Sequence, residues 1–485
     1  MDITTPLLYN ILNQNKETEM TEKIISLISN AMYTYILVIF LILGGVYFTF
    51  KTKFAQIRLI KEQIRAVTEK PADKKGVSSF QALMVSTASR VGTGNIIGVS
   101  TALCLGGFGS VFWMWVIAII GGASAFIEST LAQIYKKRGK DGSFGGPAYY
   151  IEAAFNNRTL AVVFSIFLIL TYGIGFNMLA SYNLQSTFSG YGFYNEKTTP
   201  WIIGFIIAVI VGYCIIGGGN RIIKITSYLV PFMGVLYIAV ALLVTVMNIS
   251  AIPSVFARIF SEAFNLKAIF SGFSGSCVMY GIKRGLFSNE AGVGSTPNAS
   301  ASADINHPAK QGLVQILSVF IDTLLVCSAT AFFCMCSGVE PSKELSGAPY
   351  IQLSLKATLG DFGPIFITVA MILFAFTTLL GNLFYVDKSI IYILKHEPSK
   401  RIVVIYRIIA SLVIFIGAGL SAGLLWDIAD ITMGGMTIIN MPVIIILGKY
   451  AIYALFDYEK KRKSNKDITF KTSDIGLPHK TDYWN

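Results

Sequence analysis

Residues 86–98 run Ser-Thr-Ala-Ser-Arg-Val-Gly-Thr-Gly-Asn-Ile-Ile-Gly inside a hydrophobic stretch. No unbroken helix accommodates Gly92, Thr93, Gly94 and Asn95 there, since each glycine costs a helix about 1 kcal/mol. Backbone groups released from helical bonds inside a bilayer need partners, and they persist only where protein buries them or where they line a cavity. Free N–H groups at the start of a half-helix suit a carboxylate. Free carbonyls at the end of the other half suit an ammonium group or a metal cation. Arg90, two residues before the first glycine, adds a charge where charge is expensive. The six cysteines, Cys104, Cys214, Cys277, Cys327, Cys334 and Cys336, lie in or beside apolar segments and read as small packing residues. His307, His396 and His479 are the only histidines and lie in polar stretches, which speaks against a histidine metal centre or a histidine-based triad.

The elements around this break must be membrane helices. Of the 485 residues 54% are hydrophobic and 14% charged, with a mean hydropathy of +0.62. Soluble chains carry close to twice that charged fraction. The fold class expected is an all-α polytopic membrane protein. Residues 1–31 form a polar N-terminal segment without the basic start of a signal peptide. A leading span covers 32–50. Residues 51–79 form a basic amphipathic segment, with Phe54, Ile57, Ile60, Ile64 and Val67 at helical spacing. Ten further spans fit at 80–104, 109–135, 160–190, 200–217, 225–248, 269–287, 311–336, 362–386, 402–420 and 428–456, followed by a basic tail at 457–485.

Eleven spans put the termini on opposite sides. With the N-terminus outside, the inner segments hold 30 Lys and Arg and the outer ones seven. That bias predicts a cytoplasmic C-terminus in a multi-pass protein of the cell membrane. The net charge of +12 is therefore read as topology, with the run Lys460-Lys-Arg-Lys463 as an anchor at anionic lipid, and no nucleic-acid partner is expected. A repeat is also visible. Without the leading span, the first of the ten remaining is broken at 92–95, and the sixth is rich in Gly and Ser at 271–276. Matching interruptions five spans apart imply a 5+5 inverted repeat, residues 80–250 and 251–456, with a site between two broken helices.

Two passages carry a family resemblance. One is Gly106-Gly-Phe-Gly-Ser-Val-Phe-Trp-Met-Trp, with Glu128 and Gly145-Gly-Pro-Ala-Tyr-Tyr-Ile-Glu152 following. The other is Gly281-Ile-Lys-Arg-Gly-Leu-Phe-Ser-Asn-Glu-Ala-Gly-Val-Gly-Ser295, then His307-Pro and Phe320-Ile-Asp-Thr323. Together with residues 92–95 these resemble the alanine or glycine:cation symporters, also called sodium:alanine symporters. The resemblance implies a leucine-transporter-like core with one extra leading helix. It implies symport of a small neutral amino acid with Na+ or H+ by alternating access, with no organic cofactor and no transition metal. Carried over by position, the substrate would meet Gly92, Thr93, Gly94 and Asn95, and Phe273, Ser274, Gly275 and Ser276 of the sixth core helix. A cation site would take carbonyls of Ala88 and Val91 and hydroxyls of Thr377 and Thr378, hard oxygens that suit Na+. A Thr pair in a helix is also commonly bonded to its own backbone.

The chain departs from the pattern that the resemblance implies. Arg90 stands where a small residue or threonine is expected. Its guanidinium could replace a coupling cation, bind the carboxylate of a larger or acidic substrate, or pair with Glu128, Asp322, Asp427 or Asp430. Asn382 stands in place of a tryptophan, which would enlarge the pocket and add a hydrogen-bond partner. Ala180 replaces a glutamine and Tyr182 an asparagine. Lys283, Arg284 and Glu290 are expected to flank the inner end of the sixth core helix as a charge network. The alternatives are then a cation-independent amino-acid carrier or exchanger with Arg90 replacing a coupling ion, a carrier for a larger or acidic amino acid and, outside transport, a non-transporting amino-acid sensor. No nucleophile–base pair or metal cluster with suitable spacing favours an enzyme. The expected partners are a small neutral amino acid, a coupling cation and the lipid bilayer, and the protein is expected to be a monomer.

Overall fold

The computed structural model describes residues 20–71, 76–139, 142–216, 218–265, 272, 276–464, 468–478 and 481–484. The leading helix α1 is Met20–Lys51, so it starts twelve residues before the apolar span read from hydropathy. A short helix α2, Ile60–Thr68, follows it. Ile57, Ile60 and Ile64 stay exposed while Glu62 and Gln63 are buried against protein, as an interfacial helix with one face in lipid requires.

The core begins with the broken helix. A capping box, in which Ser78 Oγ accepts from Gln81 N–H and Gln81 Oε1 from Ser78 N–H, starts α3, Ser79–Arg90. Val91 leaves helical geometry at ψ 87°, and α4, Gly94–Gly106, resumes after Thr93. Then come α5 (Gly109–Ile134), a two-stranded hairpin of β1 (Lys137–Gly139) and β2 (Gly142–Phe144), α6 (Pro147–Phe155), α7 (Arg158–Ser186), α8 (Thr199–Ile215), α9 (Gly218–Met247) and α10 (Ile252–Ala263). The second half has α11 (Cys277–Asn289), α12 (Pro297–Ser300), α13 (Pro308–Met335), α14 (Ala348–Leu359), α15 (Phe362–Leu394), α16 (Lys400–Gly417) and α17 (Ala422–Lys463). Among the described residues, seven helices are long and apolar enough to cross a membrane, with α4 and α8 as shorter apolar helices.

The described residues interrupt the sixth core helix at 290–296, between α11 and α12. Glu290 adopts φ 51°, Gly292 φ 85° and Gly294 φ 91°. Of the expected interruption at 271–276, Ser271, Phe273, Ser274 and Gly275 lie outside the described residues. Ser276 is the N-cap of α11, its Oγ accepting from Met279 N–H at 3.3 Å. The Gly/Ser cluster therefore precedes the first half-helix, α11, in the chain, and the span ending at residue 287 in the sequence reading continues through the break to Pro297. Lys283 and Arg284 are correspondingly buried inside α11 and do not belong to an inner loop.

Small residues let these helices meet at backbone distance. A Cβ on Gly381 of α15 would lie 2.6 Å from Ser89 N of α3, and one on Gly281 of α11 would lie 2.5 Å from Ser110 O of α5. Such contacts replace the hydrophobic drive that helices lack inside lipid. The start of α3 and the end of the α12 segment share one face of the molecule: Val77 pairs with Ala303, and Asp304 N–H donates to Val77 O at 2.8 Å. This face also holds a cavity of about 1210 Å³ lined by Val77, Ser302, Phe384 and the basic side chains Lys137, Arg138, Arg158, Lys388 and Lys395. It is called the basic face below.

Candidate substrate and cation site

Asn95 organises the first break. Its Oδ1 accepts from Gly92 N–H at 2.8 Å, supplying a partner that the interrupted helix no longer offers. Its Nδ2 donates to Asp322 Oδ1 at 2.7 Å in α13. Asp322 is buried, and it also accepts from Ser288 Oγ and Thr323 Oγ1, both at 2.8 Å. The carboxylate thus joins α4, α11 and α13 around the break. Thr93 Oγ1 accepts from Asn183 Nδ2 of α7 at 3.0 Å.

The second break meets the first directly. Ser89 Oγ lies 3.3 Å from Glu290 Oε1, and Ser295 Oγ donates to Glu290 Oε2 at 2.7 Å. A Cβ on Gly94 would lie 2.7 Å from the Phe287 ring. Away from the basic face, aromatic rings cover this junction. Phe287 packs at a tilt against Phe176 at 4.5 Å and against Trp426 at 4.7 Å, and the Arg284 guanidinium lies 3.8 Å over the Trp426 ring. Asp430 pairs with Lys283 at 2.8 Å and lies 3.7 Å from Arg284. All three charges are buried, and together they pin α11 to α17.

Arg90 is nearly inaccessible, 2% exposed, yet no carboxylate among the described residues lies within ion-pair distance of it. Its Nη1 donates to Gln315 Oε1 at 2.9 Å and its Nη2 to Thr296 Oγ1 at 3.0 Å. The guanidinium therefore spans from α3 to the second break and to α13. Glu128, Glu290 and Asp322 are near enough to feel its charge without direct contact. Of the expected acidic partners, Asp430 belongs to Lys283 and Arg284 instead.

The expected cation ligands separate by face. Thr378 Oγ1 packs on Gly92 so closely that an added Cβ would overlap it, and it has no hydrogen-bond partner among the described residues. Thr377 Oγ1 is already bonded to Leu373 O at 3.0 Å and Phe374 O at 3.1 Å. Ala88 is buried where α3 crosses Gly381, one turn along α15 from Thr378. Val91 N–H still bonds Thr87 O at 2.7 Å at the helix end. Asn382 lies behind the break, accepting from Ser89 Oγ at 2.7 Å and donating to Asn177 Oδ1 at 2.9 Å. Asn177 Nδ2 and Asn183 Oδ1 are buried without partners among the described residues. Sequence reasoning passed over Asn177, Asn183, Gln315 and Thr296. The first three could have been found as amide side chains standing inside apolar spans.

Comparison with known proteins agrees with this architecture. Residues 18–472 match the sodium:alanine symporter family. The probable sodium/glutamine symporter GlnT of Bacillus subtilis is 40% identical over 454 residues, 93% of this chain and 94% of that protein. The sodium/alanine symporter AgcS of Methanococcus maripaludis is 36% identical over 437 residues, 87% of this chain and 94% of that protein. The crystal structure of MhsT in complex with L-phenylalanine shares the fold, with TM-score 0.53 and 17% identity, covering 82% of this chain and 91% of that one. The chain is a leucine-transporter-like membrane carrier, not an enzyme, and it belongs to the sodium:alanine symporter family.

Proposed function

We propose that this protein imports a small neutral amino acid such as alanine or glycine together with Na+, binding both where the two broken helices meet. The observation that carries the proposal is the Thr378 hydroxyl, buried without a partner against Gly92, where a hard cation would find it beside backbone freed from the helix. Arg90 points away from Thr378, towards Thr296 and Gln315, which supports a clamp between the breaks rather than a stand-in for the ion. In this reading the basic face is cytoplasmic, the N-terminus is outside, and a monomer in the cell membrane alternates access through the aromatic cover on one side and the basic cavity on the other. Bound cation and bound amino acid each favour the closed arrangement, so each raises affinity for the other.

The orphaned amide atoms of Asn177 and Asn183 favour a second reading. A substrate with a side-chain carboxamide, glutamine above all, offers one acceptor and two donors to match them. Uptake of labelled alanine, glycine and glutamine into proteoliposomes, with and without an inward Na+ gradient, tests both. Na+-driven accumulation of alanine or glycine in preference to glutamine supports the first reading. A preference for glutamine supports the second. Uptake indifferent to Na+ removes the assigned cation site.

A further inference from the structure

The C-terminal residues beyond α17, with two lysines and two aspartates from 468 onward, fold back onto the basic face. Phe470, Ile475 and Trp484 are buried there. The segment is closed on itself: Trp484 O accepts from Thr472 N–H at 2.8 Å and from Thr472 Oγ1 at 3.1 Å. Its contacts fall on the elements that hold the end of the α12 segment. Trp484 Nε1 donates to Gln133 O at 2.7 Å at the end of α5. The Gln133 side chain donates to Ser300 O at 2.5 Å and Ala303 O at 3.0 Å.

Lys136 donates to the same Ala303 carbonyl at 3.0 Å, and the rings of Tyr483 and Trp484 close on its ammonium at 4.1 and 5.0 Å. Arg138 lies 4.9 Å over Tyr483, and Lys137 pairs with Asp482 at 3.0 Å. At the other end of the segment, Phe470 packs on His307, the N-cap of α13, at 5.1 Å. Lys461 of α17 bridges Asp457 and Asp474 at 2.7 and 2.6 Å. Burial lowers the Lys136 ammonium to about 7 against the pull of Asp304, and the two rings supply part of the stabilisation that lost water would have given.

We propose that the face formed by Gln133, Lys136, Arg138, Ala303 and His307 is a docking site for the chain's own C-terminal residues 468–478 and 481–484, and that the docked segment is a latch restraining the inner half of the sixth core helix. Ala303 is the junction. It ends the segment that starts with α12, it pairs with Val77 at the start of α3, and its carbonyl is held by the side chains of Gln133, at the end of α5, and Lys136, just beyond it, the two residues that Trp484 engages through the Gln133 carbonyl and the Lys136 ammonium. Both broken helices therefore share an anchor with the tail. Opening towards the basic face must separate or tilt these ends, and the tail contacts must loosen with them. The inference rests on the reading that this region moves during transport. Anything that competes for the two aromatic rings or for Asp482 would release the carrier.

The test uses the full-length chain, W484A, D482K and a chain ending at residue 467, each reconstituted in proteoliposomes with Na+-driven amino-acid uptake as the readout. W484A and the truncation are expected to raise maximal uptake by about three- to tenfold, the scale set by one hydrogen bond and one cation–π contact. Hydrogen exchange at 297–307 should rise in parallel. A synthetic peptide of residues 468–485 should slow the truncated carrier in a saturable manner, and the same peptide with W484A should not. Unchanged or reduced uptake in folded W484A and D482K overturns the latch. Failure of all three variants to fold overturns it too, because the segment would then be part of the scaffold. If the full-length chain itself moves no amino acid under any gradient, it is the transport reading that fails.

Discussion

The contact between Gly92 and Thr378 separates packing from ion binding in one double-mutant cycle. Gly92 is not a positive-φ residue, so alanine there brings no backbone strain, only volume. The new methyl would overlap Thr378 Oγ1 and lie 3.2 Å from its Cβ and 3.3 Å from its Cγ2. Overpacking of this kind costs about 1–3 kcal/mol, offset by about 0.4–1 kcal/mol from a less flexible unfolded chain. G92A should therefore lower stability by about 1–2 kcal/mol. T378A removes the overlapping oxygen. It also removes an unpartnered buried hydroxyl, so alone it should leave stability unchanged or slightly raised. G92A/T378A should recover most of the stability lost in G92A, a non-additivity of about 1 kcal/mol between touching residues.

Transport should not recover with stability. If Thr378 is a cation ligand, T378A raises the Na+ concentration for half-maximal uptake by about tenfold or more, the equivalent of about 1.4 kcal/mol. The double variant keeps that defect while regaining its melting temperature. Thermal melting in detergent and Na+ titration of uptake read the two effects separately. An unchanged Na+ requirement in T378A would remove Thr378 from the cation site, and additive stabilities would refute the contact itself.

The remaining predictions concern the charges and the second break. R90K keeps the charge but cannot reach both Gln315 and Thr296, so losing one charge-assisted bond of about 1.5–3 kcal/mol should cut maximal uptake about tenfold or more with little change in expression. Normal uptake by R90K would show that the fork between the breaks is idle. D430N leaves Lys283 and Arg284 buried without their counter-ion, a loss of about 3–5 kcal/mol that should abolish the folded peak in size-exclusion chromatography. K283M/D430N should restore part of that peak. G294A, at φ 91° with Phe164, Asn440 and Pro147 within about 3 Å of a new Cβ, should lower the melting temperature clearly, whereas G423A, with nothing among the described residues within 4 Å of a new Cβ, should not. Equal effects would mean that the second break has been placed wrongly.

The contrast between the two breaks shows what a sequence can reveal here. The first was legible because Gly92, Thr93, Gly94 and Asn95 interrupt an otherwise apolar run, and polar backbone at that depth has few physical explanations. The second shows among the described residues at 290–296, about twenty residues beyond the Gly/Ser cluster at 271–276, most of which lies outside the described residues. The sequence reading ended the span at residue 287 because Glu290 and the polar residues after it look like a loop, and it counted Lys283 and Arg284 as charges at that end. Their compensating partners, Asp430 and Ser89, come from distant parts of the chain. Yet the string after Phe287 contained Gly292, Gly294 and Pro297, the same punctuation that marked the first break.

Local pattern also could not choose between Thr377 and Thr378. Adjacent residues on a helix point about 100° apart, and only the crossing of α3 over α15 decides which hydroxyl meets Gly92 and which turns back to Leu373. Arg90 is the sharper case. Pairing with an acid was one of three readings open to it, beside replacing a cation and binding a substrate carboxylate, but Gln315 and Thr296 hold it while Glu128, Glu290 and Asp322 stand off. A buried cation held by neutral groups within reach of three carboxylates is a charge whose position can shift without breaking an ion pair. If the carrier alternates access as proposed, a hinge between the two broken helices has use for that freedom.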